Sequence, residues 1–435
     1  MKKHIKLFIV LGIILVGSFS FYLFEGYKKD ALVYENNKIM PSSSGIAMML
    51  ETSAGSGNYE MTTRSEWPTE GYVFNANLSK CENGSELSWD NENKKVLMSG
   101  NKSDKCYVYF DVYVPPTIAD FCNSGDTLTT CAKNFGNQGT DMSNIYIHNS
   151  GLTNGAGDNS YRYAGASNQV NNYVCFGSST TPCPADNLYR IIGVFGDRVK
   201  LIKSDYATTA LLGADGDYSK MYTANNWDNS AYKGNNLANV AGYTWNYKNN
   251  TTINSGYGSN TWSTSLLNKT NLNKNFITNI GADWAAKIAE TTWKVGGNTY
   301  ANIASKPAKT AYQNEIVSPV TTNTTDNATE FSAKIGLMYA SDYGFAAAPS
   351  AWTANLSSYN GEAIKNVNWM YMGLLEWTIS RIASGAYYVF YVSDIGSVNS
   401  YYATLALALR PVFYLTSSVN YVSGSGTAAD PISIN

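Results

Sequence analysis

From Thr378 to Asn435 the chain contains no Lys, Gln, Glu, Met or Trp, although all five occur upstream. Histidine is nearly absent, with only His4 and His148. No cysteine follows Cys183, and no two cysteines have the C-x-x-C spacing of a zinc site. The sequence has no G-x-S-x-G, no H-E-x-x-H and no P-loop. Charged residues make up 15% of the chain, the formal net charge is −2, and no long Lys/Arg run follows the N-terminal region. A nucleic-acid partner therefore lacks its electrostatic footing. The recognised hydrolytic and nucleotide-handling constellations are missing, and no metal or cofactor is expected.

Two stiff blocks stand out at the C-terminal end. They are Glu376-Trp377-Thr378-Ile379-Ser380-Arg381 and Ala408-Leu409-Arg410-Pro411-Val412-Phe413-Tyr414-Leu415. Between them Ala386, Val389, Phe390, Val392, Gly396 and Val398 have the small, β-branched or aromatic character of a strand framework. The intervening positions share no chemistry: Ile382, Gly385, Tyr387, Tyr388, Tyr391, Ser393, Ile395, Ser397, Tyr401, Tyr402, Leu405 and Leu407. Tyrosine provides rigid contact area with a polar tip and serine adapts its hydrogen bonds, the mixture found in antibody paratopes. One reading is a binding face over all twelve. The other is a Tyr-rich hairpin with ordinary cross-strand pairs.

The run from Trp369 through Trp377-Thr378-Ile379-Ser380-Arg381, Val389-Phe390, Gly396 and Ala408 to Phe413 resembles the C-terminal part of C-type-lectin-like domains. The branch it is most similar to is shared by formylglycine-generating enzymes and the target proteins of diversity-generating retroelements. The resemblance spans about Leu188 to Leu415. It implies an α+β, C-type-lectin-like C-terminal domain on a bacterial surface protein. In such targets adenines of Asn codons are randomised, which can yield Tyr, Ser, Gly, Ile, Leu, Asp, Ala or Thr but never Lys, Gln, Glu, Met or Trp. The set missing after Trp377 is that set. Formylglycine-generating activity needs late cysteines, which this chain lacks. The Glu-Pro-Asn, Gln-Pro-Asp and Trp-Asn-Asp tripeptides of calcium-dependent sugar binding are absent too.

At the other end, Lys2, Lys3 and Lys6 precede Leu7 to Phe24, an uncharged run of 18 residues. At about 1.5 Å per residue it just reaches across a hydrocarbon core. The expectation is an uncleaved signal anchor over residues 1–30, with all later domains extracellular. A cleaved signal peptide, giving a secreted protein, is the alternative. Residues 31–60 read as a stalk. A small all-β domain follows over 61–116, with strands at Tyr72 to Leu78, Glu86 to Trp89, Lys95 to Met98 and Cys106 to Val114, and with Asn83-Gly84 and Gly100-Asn101 as turns. It is similar to short β modules repeated on surfaces of low-GC bacteria. Pro115-Pro116 marks a boundary. Residues 117–187 read as a loop-rich connecting region, and 188–435 as the main domain. That domain opens on a hairpin, Leu188 to Phe195 and Val199 to Lys203. Helices are predicted over Thr261 to Leu272 and Asn275 to Ala289, the second with Phe276, Ile280, Trp284 and Ile288 on one stripe.

Six cysteines, an even number all beyond the apolar run, point to an oxidising compartment. Several connectivities are open. Pairing sequence neighbours predicts Cys81–Cys106, Cys122–Cys131 and Cys175–Cys183. His148, alone in a strand-like run, reads as structural. Asp215, Asp217, Glu362, Glu376 and Asp394 are scattered carboxylates without a ligand pattern.

Three functions remain. The first is a non-catalytic, surface-displayed binder of a protein or glycan ligand through the tyrosine and serine positions. The second is an adhesin with a fixed carbohydrate site built on exposed Trp369, Tyr371 and the tyrosines. The third is an exported enzyme whose site has no familiar signature.

Overall fold

A computed structural model describes residues 39–435 apart from 42, 44, 102, 223–230, 250–251, 254–255 and 320–327. The chain divides into two compact units between Pro115 and Pro116. Helix accounts for 21% and strand for 29%, compatible with an α+β class. Two parts of the expected architecture are corrected. Among the described residues no helix is long and apolar enough to cross a membrane. The longest, Leu267–Phe276, has ten residues rich in Asn and Lys, and the apolar run expected to form an anchor lies outside the described residues. The lectin-like assignment also gives way to plain α+β, for the reason given with the comparisons below.

In the first unit a five-stranded sheet runs in the order Tyr59–Thr62, Ile46–Glu51, Cys106–Val112, Tyr72–Phe74, and Lys80–Cys81 also pairs with Cys106–Val112. Residues 46–60, expected as part of the stalk, therefore supply one strand and the start of a second. Their Met48 and Leu50 are buried with Val108 and Phe110, so the small unit needs them to close its core. The separate hairpin Glu86–Asp90/Lys95–Ser99 adds Val96 and Met98 to that core. Trp89 of the hairpin meets Phe74 at 6.3 Å and Phe110 at 5.5 Å between ring centroids.

The second unit is built on a seven-stranded sheet. Its order is Ile335–Gly336, Val412–Tyr414, Arg198–Lys203, Leu188–Phe195, Tyr161–Tyr163, Ile145–Ile147, with Tyr173–Cys175 also on Leu188–Phe195. Leu188–Phe195 is buried along nearly its whole length, as its unbroken apolar run requires. Gly196, at φ +63°, turns the chain into the next strand. The last strand pairs with Arg198–Lys203, one position away from the opening strand. Residues 117–187 are not a connector. They contribute three strands of this sheet and the helix Leu128–Gly136, whose Cys131, Ala132 and Phe135 are buried.

The predicted helices are reshaped. Leu267–Phe276 is wound as a π-helix, and the stripe beyond it breaks at Gly281, where φ is +86°. Phe276, Ile280 and Ile288 are buried and Trp284 is half-buried. Asparagines take the place of apolar contacts: Asn271 Nδ2 donates to Leu212 O at 2.9 Å and Asn273 Nδ2 to Ile335 O at 3.0 Å. Such side chains tie loops to a helix that a simple hydrophobic pattern undervalues. A second sheet, order Gly297–Asn298, Glu376–Ile382, Tyr388–Val392, Val398–Tyr402, carries the C-terminal tract.

The cysteines form three disulfides, Cys81–Cys106, Cys122–Cys131 and Cys175–Cys183, with Cα separations of 4.0, 4.9 and 5.8 Å. Among the described residues no cysteine is free. Disulfides are compatible with an extracellular location.

Candidate ligand-binding face

Tyr388–Val392 and Val398–Tyr402 form a hairpin closed by Ser393 to Ser397. Ser393 N–H donates to Ser397 O and the two hydroxyls lie 2.8 Å apart, while Gly396 takes φ +97°. Val389, Phe390, Val392 and Val398 are buried and anchor the hairpin. At its open end Tyr388 faces Tyr402, with rings 4.9 Å apart. Tyr387 lies 5.0 Å from Tyr388 and 5.6 Å from Tyr402, and Tyr401 lies 4.9 Å from Tyr402.

A fifth ring joins from elsewhere in the chain. Tyr257 meets Tyr402 at 4.4 Å and Tyr387 at 5.1 Å. Its loop is latched by Thr404 Oγ1, which donates to Gly256 O at 3.0 Å, and by Gly258. A Cβ at Gly258, whose φ is +78°, would stand 2.4 Å from Asn246 O. Buried Asn260 supports the bend beneath: its Nδ2 lies within 3.0 Å of the carbonyls of Ile382, Gly385 and Tyr388. Sequence reading missed both Tyr257 and Asn260, because each lies more than a hundred residues before the tract it supports. The glycines flanking Tyr257 were the available signal.

The five tyrosines carry no formal charge. A hydrogen bond with Tyr388 raises the pKa of the Tyr402 hydroxyl, so that proton is held through neutral pH. Tyr257 and Tyr401 are exposed, and Tyr387, Tyr388 and Tyr402 half-buried. Such ring pairs each contribute about 0.5–1.5 kcal/mol beyond area burial.

The other expected positions do not join it. Leu407 is wholly buried and exchanges backbone hydrogen bonds with Tyr243. Ile382 is core as well. Trp369 is buried: its indole N–H donates to Tyr163 O at 2.9 Å and the Arg190 guanidinium covers its ring at 4.6 Å. Tyr371 is also buried, and its hydroxyl donates to Asp394 O. Both had been expected at the surface. Ser393 and Ser397 fasten the turn. Ile395 is 50% exposed, but at the opposite tip of the hairpin, roughly 15 Å away at about 3.3 Å per residue. Tyr391 packs instead on the Trp377 ring at 6.2 Å. Gly385 and Leu405 are half-buried beside the patch in sequence. Ala386, expected inward, is exposed, because its carbonyl accepts from Asn260 N–H.

Several charged side chains are held in buried clusters. Glu376 receives Arg410 Nε at 2.7 Å and Nη2 at 2.9 Å. Lys200 meets Asp342 at 2.5 Å, and Arg162 meets Asp158 at 2.7 Å. Each of these side chains except that of Asp158 is almost fully buried. His148 is buried near Arg162. Burial, with Arg162 nearby, pushes its pKa down to about 2, its Nδ1 accepts from Ala156 N–H at 3.0 Å, and its ring packs on Phe345 and Trp352. Asp217 is buried as well, and burial raises its pKa; the amides of Leu267 and Tyr247 and the Thr244 hydroxyl donate to it. Among the described residues no cluster of His, Cys, Asp or Glu could hold a metal ion.

No family model, no curated protein and no solved structure matches this chain. The lectin-like fold named from the framing motifs is accordingly withdrawn; what stands is an α+β unit with a hairpin-borne tyrosine patch.

Proposed function

We propose that the chain is an exported, non-catalytic binding protein whose contact face is the patch of Tyr257, Tyr387, Tyr388, Tyr401 and Tyr402. The observation that carries the reading is the meeting of five tyrosine rings, each 4.4–5.6 Å from at least one other, on a buried framework. Tyr loses little conformational entropy on binding and is over-represented among residues that dominate interface energies. The patch is neutral, so it suits a glycan or an uncharged protein surface better than a polyanion. Burial of Trp369 and Tyr371 counts against the adhesin reading built on them.

The tract fits diversification by adenine-directed mutagenesis, as in the retroelement targets it resembles. In that case the changing codons are those of the outward tyrosines, and the framework codons stay fixed. Sequencing codons 378–415 and their flanking DNA in independent isolates tests this. Variation confined to codons such as 387, 388, 401 and 402, beside an Asn-rich near-copy, supports it. Uniform or absent variation removes it and leaves a fixed binding face. Binding itself is tested by a glycan array and a panel of immobilised cell-surface proteins, probed with the chain and with a variant in which all five tyrosines are Ala. Equal binding by both overturns the face.

A further inference from the structure

The first unit carries an open strand edge. Tyr72–Phe74 pairs on one side only, with Cys106–Val112. Asn75 N–H donates to Tyr109 O and Tyr113 N–H to Gly71 O, at 2.9 and 3.0 Å. In this register Gly71/Tyr113, Val73/Asp111 and Asn75/Tyr109 are the hydrogen-bonded pairs. The N–H and C=O groups of Tyr72 and Phe74 therefore point away from the sheet, and no hydrogen bond from a described residue reaches them. Edge groups of this kind are usually blunted by a charged side chain, a proline or a covering loop. The contrast within the molecule is plain: on the edge strand Val398–Tyr402 the outward Ser400 N–H is taken by Asn399 Oδ1 at 2.8 Å and the Tyr402 carbonyl by Leu405 N–H.

Beside the open edge lies a groove of about 610 Å³. The edge itself forms one wall, Trp89, Asn91 and Lys94 of the neighbouring hairpin another, and Tyr113 closes one side. That volume lies within the usual range for binding clefts, about 300–1,000 Å³. Its chemistry is specific. Two outward donors and two outward acceptors, alternating along a strand, match the backbone of an extended peptide, and the aromatic wall of Trp89 and Phe74 suits apolar side chains at alternate positions.

We propose that this groove binds an extended peptide segment by adding it as a strand against Tyr72–Phe74, at a site separate from the tyrosine face. A segment rather than a second copy is the occupant, because the hairpin wall bounds the groove beside the edge and leaves space for a chain, not for another sheet with its own hairpin.

The test is selection of a phage-displayed library of random dodecapeptides on the purified chain, followed by binding of the selected peptides to two variants. Tyr72→Pro removes one outward N–H while sparing the inward bonds, as proline is tolerated on a sheet edge. Val73→Lys leaves the backbone intact and places a charge at the edge, so it serves if the proline variant does not fold. Selected peptides should bind the parent chain and lose at least tenfold in affinity on either variant, with the five-tyrosine variant binding as the parent does. Three results overturn the proposal: no enriched peptide, equal binding to parent and edge variants, or a dimer of the chain in sedimentation that Tyr72→Pro or Val73→Lys dissolves.

Discussion

Arg410 grips Glu376 through two nitrogens, at 2.7 and 2.9 Å, and a third contact runs from its Nη2 to Met370 O at 2.7 Å. The two residues stand in the two blocks that bracket the tyrosine tract. Their buried pair closes the bracket and gives the intervening residues a fixed base. Removing one partner leaves an uncompensated buried charge, which costs about 3–5 kcal/mol. Arg410→Met alone should lower unfolding free energy by that amount in denaturant titration. Glu376→Met with Arg410→Met should recover much of the loss, and a double-mutant cycle reads the difference.

Positions within the tract should separate by burial rather than by residue type. Tyr401→Ala changes an exposed ring and should shift stability by no more than about 0.5 kcal/mol. Leu407→Ala opens a cavity beside Tyr243 and should cost about 2–5 kcal/mol. Thermal denaturation of the two variants checks the contrast. Equal effects would dissolve the distinction between face and framework.

His148 should make stability depend on pH. Its folded pKa, near 2, lies below the ordinary histidine value of 6.5. The native state therefore holds it neutral while the unfolded chain takes up a proton below pH 6.5. Its contribution is complete above that value and falls as pH drops, by about 1.4 kcal/mol per unit. Between pH 6.5 and 5 the loss should be about 2 kcal/mol in urea titrations. His148→Gln should flatten this part of the profile.

The disulfide Cys81–Cys106 closes 25 residues, against 9 and 8 for the other two. It also sits in the smaller unit. Replacing both cysteines by Ala should destabilise that unit by about 2–4 kcal/mol. Calorimetry should show the first unit melting earlier and the second unchanged. Non-reduced peptide mass spectrometry should recover the three local bridges and no others.

Local patterns carried a good part of this molecule. Alternation along Cys106 to Val112, the apolar run from Leu188 and the Gly196-Asp197 turn are short-range signals, and each is expressed where neighbouring residues alone decide the conformation. The cysteine pairs, close in sequence, were legible for the same reason. Tertiary structure decided the rest. Whether Trp369 faces water depends on what packs over it, and Arg190 and Tyr163 come from distant segments. Residues 46–62 joined a sheet because a small core had to be closed, which no window of their own sequence records. The tyrosine patch shows both sides of the division. Its tyrosines could be read from the tract, but their convergence with Tyr257 follows from the folding of a loop more than a hundred residues away onto the hairpin, and the burial of Leu407, Tyr371 and Trp369 from their packing with Tyr243, Asp394 and Tyr163.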